Sequence, residues 1–378
     1  MGRLELEKSR FSGIGKMFNL ANSMGGDLVR FETGDIDFPT PKHIVDFAHD
    51  ELKQGFTHYA PYQGYERLRE AIVNKLRKFN NIEKKQEDLL ITSGASGALF
   101  LAFQALLKRN DEVILADPSW PHFDEMIKFA NGVARPTPFL SADGQRFLPE
   151  VLEDAITKRT KVILLNSPHN PTGFVFTKKD LQKIADIAEK SNITVISDEV
   201  YESFTYGLNT HYSIGAVYDK VVSVYSFSKT YAMCGWRLGY VASNRILSEL
   251  MTKLSLYSVT CIPPFIQMAG LAALEGNQKS VKNMVKTYAN RCYTLANNLN
   301  SIDGMSCKMP KGSIYVWPDV SKIGNSFQVA EELVRKSKCV TVPGEVFGRG
   351  GKGRLRLAVS LSSMQIREGL KRIRETEF

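Results

Sequence analysis

Between residues 87 and 242, short runs rich in β-branched residues alternate with longer amphipathic stretches. Stretches such as ASGALFLAFQALLKR and KKDLQKIADIAEKS repeat their apolar residues every three to four positions, as helices do. The alternation predicts successive strand–helix units and a largely parallel α/β sheet that is covered by helices on both faces. The predicted strands are LLITSG, EVILADP, KVILLNSP, ITVISDEV, KVVSVYS and RLGYVAS.

After about residue 245 the pattern changes to one long helical stretch, SVKNMVKTYANRCYTLANNLNSI, followed by the short runs MSCKMP, GSIYVWPDV, CVTVPG and RLRLAVS. A helix followed by short strands predicts a second, smaller α+β domain. The first forty residues are glycine-rich and irregular, so we expect them to pack beside that domain. The predicted organisation is an N-terminal segment 1–40, a large domain 41–270 and a small domain 271–378.

Composition excludes several classes of protein. A chain of 378 residues suits about two domains, and its 43% hydrophobic and 24% charged fractions are those of a globular protein. The net charge of +9 is spread along the chain, and no nucleic-acid-binding motif is present, so no nucleic-acid partner is expected. A positive potential does favour anionic substrates.

The cysteines and the apolar runs indicate a cytoplasmic protein. The five cysteines are far apart and lack the close pairing of a metal or redox motif, so we expect reduced thiols and no metal site. No run approaches the roughly 18 apolar residues of a membrane span, and the N-terminal residues do not resemble a signal peptide. We therefore expect no membrane partner.

Polar and reactive residues follow the predicted strands. In open α/β sheets, ligands bind beyond the carboxyl ends of the strands. Here those ends offer a lysine, an aspartate, a tyrosine, an asparagine, an aromatic ring, and a glycine-rich turn whose helix N-terminus suits a phosphate. These groups suit pyridoxal phosphate, which forms a Schiff base with a lysine and needs a protonated ring nitrogen. The segments are SGAS at 93–96, DPSW at 117–120, NSPHNPTG at 166–173, DEVY at 198–201 and SFSK at 226–229.

The motifs NSPHNPTG, SDEVYE and SFSKTYAMCGWRLGY, in this order and spacing, resemble those of class I/II, fold-type I pyridoxal-phosphate aminotransferases. The similarity extends from about residue 30 almost to the end of the chain. It implies a mostly parallel seven-stranded sheet with a smaller α+β domain. It also implies a homodimer that moves an amino group from an aspartate-, alanine- or aromatic-type L-amino acid to a 2-oxo acid such as 2-oxoglutarate, by a ping-pong cycle.

The resemblance assigns catalytic roles to residues of this chain. Lys229 matches the lysine that forms the internal aldimine and then acts as the base for the 1,3-proton shift. Asp198 matches the carboxylate that keeps the pyridine nitrogen protonated. Tyr201 and Asn170 match residues that hydrogen-bond the cofactor's phenolic oxygen, with Asn170 also near the substrate. Trp120 matches the aromatic residue that stacks on the ring.

The resemblance also predicts how the phosphate and the dimer are arranged. Tyr59 matches a tyrosine that reaches across a dimer interface to the neighbouring cofactor's phosphate, which implies shared active sites. Arginine supplies a charge-assisted hydrogen bond to the phosphate, and glycine lets the backbone approach it. The expected phosphate ligands within the same chain are Gly94, Ala95, Ser96, Ser226, Ser228 and Arg237.

Substrate recognition requires a fork-like donor for the α-carboxylate, which an arginine provides. The segment GKGRLRLAVS contains two, and different subgroups of the family match Arg354 or Arg356. The alternation of side chains along a strand puts both arginines on the same face, so it does not show which of them binds the carboxylate. We prefer Arg356. Gly34 matches the backbone donor beside the substrate carboxylate.

One position departs from the family pattern. Ser96 stands where some bacterial aspartate-type members carry a lysine that meets a dicarboxylate side chain. The missing positive charge disfavours aspartate, because an unpaired second carboxylate is costly to bury. Tyr315, Trp317 and Phe347 instead favour aromatic or broad donors.

Two other functions remain open at this point. The first is another fold-type I enzyme, such as a carbon–sulfur β-lyase or a synthase that forms a cyclic amino acid, since these share the lysine, the aspartate and the phosphate site. The second is a regulatory module of the kind fused to a DNA-binding unit. Only about thirty residues precede the resemblance, which is too few for such a unit. The motifs favour transamination.

Overall fold

The six strands predicted between residues 87 and 242, together with one further strand, form one seven-stranded sheet in the computed structural model, which describes residues 13–378. Residues 1–12 of the predicted N-terminal segment lie outside the described residues. The strands of the chain are β1 (Val29–Arg30), β2 (Leu89–Ser93), β3 (Glu112–Ala116), β4 (Val133–Thr137), β5 (Thr160–Asn166), β6 (Thr194–Asp198), β7 (Val221–Ser226), β8 (Leu238–Ala242), β9 (Tyr315–Val316), β10 (Cys339–Val340), β11 (Val342–Pro343) and β12 (Leu355–Ala358).

The order across the large sheet is β2-β8-β7-β6-β5-β3-β4. Only β8 runs antiparallel to its neighbours, so the expected mostly parallel sheet is confirmed. The sequence did not predict β4. This edge strand, VARPT, is partly solvent-exposed and pairs with β3 alone, so it lacks the apolar run by which buried strands are recognised.

Helices cover both faces of this sheet. Successive side chains of β5 point to opposite faces, with Val162 and Leu164 in one apolar cluster and Ile163 and Leu165 in another. The helices of the described chain are α1 (Gly13–Met24), α2 (Lys42–Lys53), α3 (Glu66–Lys75), α4 (Gly94–Leu106), α5 (His122–Phe129), α6 (Pro149–Asp154), α7 (Lys178–Lys190), α8 (Phe227–Thr230), α9 (Arg245–Ser258), α10 (Pro264–Glu275), α11 (Lys279–Leu299), α12 (Ser326–Ser337) and α13 (Ser363–Arg374).

Helix α7 illustrates how the sequence sets a helix boundary. Thr177 accepts a hydrogen bond from the backbone N–H of Asp180 at 3.2 Å, and the Asp180 carboxylate accepts one from the Thr177 N–H at 2.8 Å. This reciprocal cap satisfies two N–H groups at the start of the helix. The apolar face that follows, which includes Leu181 and Ile184, packs on residues of β5 and β6.

A smaller three-stranded antiparallel sheet, of order β11-β12-β9, lies beside the large one. It shares an apolar core with α11, α12 and α13. Strand β1 pairs in parallel with β10, with Val29 opposite Cys339, so described N-terminal residues pack with C-terminal ones. Within residues 13–378, no helix combines the length and apolar character that crossing a membrane requires.

Candidate active site

A cavity of about 380 Å³ opens at the carboxyl ends of the parallel strands, between the large sheet and β12. Most of the residues predicted for the site lie in its wall, although they come from distant parts of the chain. The structure therefore brings the predicted segments together. The lining residues are Glu32, Thr33, Gly34, Ala95, Ser96, Leu99, Trp120, His122, Asn166, Asn170, Asp198, Val200, Tyr201, Ser226, Ser228, Lys229, Cys234, Arg237, Tyr315 and Arg356.

Lys229 is positioned by the short helix α8, which begins directly after β7. The hydroxyl of Ser226 accepts a hydrogen bond from the Ser228 N–H at 3.1 Å and so caps this turn. The half-buried Lys229 Nζ donates to the backbone oxygen of Gly34 at 2.5 Å and lies 3.4 Å from Cys234 Sγ. The amine therefore lies between the large sheet and the N-terminal segment that passes over the cavity.

Asp198 is the last residue of β6 and is buried. Its Oδ1 accepts a hydrogen bond from the Val200 N–H at 3.3 Å. Burial, with a smaller contribution from the charge of Glu199, raises the pKa of this carboxyl group to about 7. A buried carboxylate with so little hydrogen bonding is stabilised by a cation, and the protonated ring nitrogen of pyridoxal phosphate is a cation of suitable chemistry.

Tyr201 and Tyr315 present paired hydroxyl groups to the same cavity, with their oxygens 2.9 Å apart. Burial and the neighbouring Tyr315 raise the pKa of Tyr201 well above its usual value, so its hydroxyl is a neutral donor at neutral pH. Asn170 is held in place through its backbone N–H, which donates to Asn166 Oδ1 at 2.8 Å. These side chains offer hydrogen bonds to an oxygen of a bound ring.

The start of α4 forms a site with the chemistry of an anion cradle. The helix begins at Gly94, immediately after β2, and no side chain caps its first N–H groups. Gly94 has φ +66°, and a Cβ atom there would lie 2.7 Å from Nη2 of Arg237. Glycine accommodates both this backbone conformation and the close approach of the guanidinium. With the hydroxyls of Ser226 and Ser228, 2.9 Å apart, these groups fit a phosphate.

Arg356 is 2% exposed and lies in the cavity wall. Its Nη2 donates to the backbone oxygen of Glu32 at 2.6 Å, and its guanidinium stacks 4.3 Å from the Tyr315 ring centre. Its Nε has no hydrogen-bond partner among residues 13–378. Arg354 instead pairs with Asp319 at 3.2 Å and is not part of the wall.

Of the remaining predicted residues, one lines the cavity and three lie outside its wall. Trp120 lines the cavity, with its ring 4.4 Å from that of His122. Tyr59 is 85% exposed and does not reach the cavity of its own chain. Trp317 and Phe347 are not in the wall either; they pack on each other with ring centres 5.7 Å apart.

Sequence reasoning missed part of the cavity wall. His122 and Cys234 are close in sequence to Trp120 and Lys229, so proximity to those residues was an available signal. Glu32 and Thr33 are likewise close to the predicted Gly34, whereas Leu99 carried no such signal. Burial lowers the pKa of His122, which keeps its imidazole neutral at neutral pH.

Comparison with known proteins decides which family has this arrangement. A family model described as aminotransferase class I and II matches residues 26–373. The chain belongs to this family. The aminotransferase is 39% identical over 368 residues to the aspartate aminotransferase of Pyrococcus horikoshii, an alignment that covers 96% of this chain and 93% of the relative. It is 34% identical to aromatic-amino-acid aminotransferase 2 of Thermococcus litoralis, with 97% and 96% covered.

Solved structures agree with this assignment. The aminotransferase superposes on the aspartate aminotransferase of Thermus thermophilus with maleate at a TM-score of 0.93, with 34% identity and 100% and 99% of the two chains covered. It is therefore a fold-type I, pyridoxal-phosphate-dependent aminotransferase, which moves the amino group of an L-amino acid to a 2-oxo acid. The resemblance in the motifs is confirmed, and the β-lyase alternative is not favoured.

Proposed function

We propose that this aminotransferase uses Lys229 to hold the cofactor and to move the substrate proton, and that it prefers aromatic L-amino acids as donors. The observation that carries the proposal is that Lys229, Asp198 and Arg356 line one cavity. Lys229 supplies an amine, Asp198 a buried carboxylate and Arg356 a guanidinium. Transamination needs all three.

Pyridoxal phosphate, when bound, supplies an aldehyde that condenses with amines and a ring that withdraws electrons from the substrate Cα. In our proposal, Arg237, Ser226, Ser228 and the N-terminus of α4 hold the phosphate. Asp198 keeps the ring nitrogen protonated, because its ionised form is stabilised by a cation at that position.

Arg356 and Lys229 act on the substrate. The guanidinium of Arg356 binds the α-carboxylate, which donor and acceptor share, and this fixes the direction in which the Cα–H bond points. Lys229, as a neutral amine, accepts the proton that leaves Cα and would deliver it two bonds away, to the cofactor carbon C4′, in a 1,3-proton shift. The short helix α8 holds this amine in the cavity wall.

The donor preference rests on charge. The lysine and arginine residues of the cavity wall are Lys229, Arg237 and Arg356. Each is committed to the cofactor or to the α-carboxylate. Ser96 and the neutral His122 offer hydrogen bonds but no cation, so a second carboxylate on the donor gains less than an aromatic ring that packs on Tyr315.

We also propose a homodimer with shared active sites, working in the cytoplasm. Tyr59 is 85% exposed and Tyr257 is 88% exposed. Their segments adjoin, because the Ala60 N–H donates to Cys261 Sγ at 3.4 Å. Such exposed aromatic residues suit an interface. All five cysteines are free thiols, which fits a reducing compartment.

The domain division is likewise a proposal. A border at residue 270 falls inside α10, which ends at Glu275, whereas α11 begins at Lys279. We therefore set the border of the large domain at residues 276–278 and keep the small domain as the remaining C-terminal part. The described residues of the N-terminal segment pack with that domain through the pairing of β1 with β10.

The test is a donor panel with the purified, cofactor-loaded enzyme and 2-oxoglutarate as acceptor. We expect phenylalanine or tyrosine to give a higher kcat/KM than aspartate, with glutamate formed in equal amount to the 2-oxo acid. Ammonia released without an acceptor would contradict transamination. A kcat/KM for aspartate far above those of the aromatic donors would contradict the proposed preference alone.

A further inference from the structure

A second cavity, of about 1070 Å³, lies behind the turn that carries Lys229. Its walls are α3 with the π-helical turn Leu76–Asn80, the segment 202–211, and the region from the end of α10 into α11. Ser226, Phe227 and Thr230 of this turn belong to its wall, and Ser226 also lines the active cavity. Its volume slightly exceeds the range of about 300–1,000 Å³ that is usual for small-molecule sites.

The interior of this second cavity is rich in aromatic side chains. The hydroxyl of Tyr240 is buried there and has no hydrogen-bond partner among residues 13–378. Aromatic rings and aliphatic groups such as Val285 form a surface on which a flat apolar body packs. The aromatic residues of the wall are Phe79, Tyr206, Phe227, Tyr231 and Tyr240.

The rim of the second cavity is positively charged. Lys75 forms an ion pair with Glu202 at 2.5 Å, so these two charges cancel. Lys78, Lys282 and Lys286 also belong to the wall, and no ion pair to any of them exists within the described part of the chain. Glu275 is the remaining acidic residue of the wall, so the lysines dominate and favour an anion.

We propose that this second cavity is a binding site for an aromatic carboxylate. The ring packs on the aromatic wall, and the carboxylate lies at the rim beside Lys282 and Lys286, which are one helical turn apart on α11. The inference does not depend on the roles proposed for the active cavity. A ligand here would touch Thr230, which directly follows Lys229 in the chain. The Thr230 hydroxyl lies 3.1 Å from that of Ser203.

The test is calorimetric titration of the cofactor-loaded enzyme with 2-naphthoate. The active cavity also binds carboxylates, so the variant Arg356→Gln is titrated in parallel. We expect one 2-naphthoate per chain to bind Arg356→Gln with the wild-type affinity of the second site. In Lys282→Ala/Lys286→Ala, we expect the Kd of that site to rise at least tenfold. Both lysines are exposed, so the substitutions leave the core intact.

Lys279→Ala is the matched control, because Lys279 lies on the same helix but outside the cavity wall. Its Kd should stay within twofold of wild type. Loss of all binding in Arg356→Gln, with circular dichroism unchanged, overturns the proposal by assigning 2-naphthoate to the active cavity. An unchanged Kd in the double lysine variant overturns it as well. Neither result depends on catalytic turnover, so the function proposed above is tested separately.

Discussion

Nη1 of Arg356 donates a hydrogen bond to Oδ1 of Asn170 at 3.3 Å. This contact joins β12 of the small sheet to the loop that follows β5 of the large sheet, so the proposed substrate anchor and a proposed cofactor ligand hold each other in place. A guanidinium in this position has a defined orientation before substrate arrives. Such preorganisation reduces the entropy lost on binding.

The variant Arg356→Lys keeps the charge but loses the planar fork. We expect kcat/KM to fall about 10- to 100-fold for both donor and acceptor, as the loss of a charge-assisted hydrogen bond implies. Most of the effect should be in KM, because both substrates carry the α-carboxylate. Arg354→Lys is the control and should stay within about twofold, since its partner Asp319 is outside the cavity. Equal losses in the two variants would argue against Arg356 as the anchor.

The variant Lys229→Ala removes both the amine that binds the cofactor and the proposed base. We expect less than about 1% of wild-type kcat, because one group performs both tasks. Circular dichroism should be unchanged, since the side chain is half-buried and its amine contacts Gly34 and Cys234 at the cavity wall. Borohydride followed by peptide mapping should label residue 229 in wild type and in the exposed control Lys253→Ala. More than a few per cent of activity in Lys229→Ala would rule out its role.

The parts of this site that the sequence predicted are those that follow strands. Asp198, Ser226 and Lys229 come directly after apolar runs, and a parallel sheet brings such ends to one edge. Glu32 escaped prediction because its contact with Arg356 joins residues 324 positions apart in sequence. Packing of the N-terminal segment over the sheet creates that contact, and no local periodicity encodes it.

The variant Ser96→Lys tests the proposed basis of donor preference. A lysine at this position adds a cation to the cavity wall, where Ser96 now lies. We expect kcat/KM for aspartate to rise about tenfold, which corresponds to roughly 1.4 kcal/mol of new ion pairing, while that for phenylalanine stays level or falls. The control Ser96→Gln adds length without charge and should not favour aspartate. A similar gain in both variants would mean that charge is not the determinant.

The exposed Tyr59 yields a prediction about the dimer. Light scattering should give about twice the chain mass of 42.4 kDa. If Tyr59 serves the neighbouring site, Tyr59→Ala should weaken cofactor binding about tenfold, as loss of a hydrogen bond to a charged phosphate implies. The control Tyr293→Ala alters a residue that is 61% exposed on α11 and should have no effect.

Mixing subunits makes this prediction sharper. In a heterodimer of Tyr59→Ala with Lys229→Ala, one site combines the intact lysine of one chain with the intact tyrosine of the other. At limiting cofactor, the activity of the mixture should exceed the sum of the activities of the two variants. No recovery after verified subunit exchange would show that Tyr59 does not act across the interface.

Asp198 yields a prediction about stability as well as rate. Burial raises the pKa of its carboxyl group from 3.8 to about 7 in the folded chain. Between roughly pH 4 and pH 7, the folded protein without cofactor therefore binds more protons than the unfolded chain, so its stability falls as the pH rises through this window. The ionised carboxylate destabilises the fold above that range.

Asp198→Asn removes this titration and keeps the shape of the side chain. At pH 8 and without cofactor, we expect its free energy of unfolding to exceed that of wild type by about 2 to 4 kcal/mol, and the two to converge at pH 4. Urea unfolding at both pH values measures this difference, with the exposed Asp219→Asn as a control.

With cofactor bound, the same substitution should impair turnover. We expect Asp198→Asn to lose about 100-fold or more in kcat, because the ring nitrogen loses its counter-charge. A stability gain that is the same at pH 4 and pH 8 would contradict the buried titration, and wild-type turnover in the variant would contradict the role of the carboxylate in catalysis.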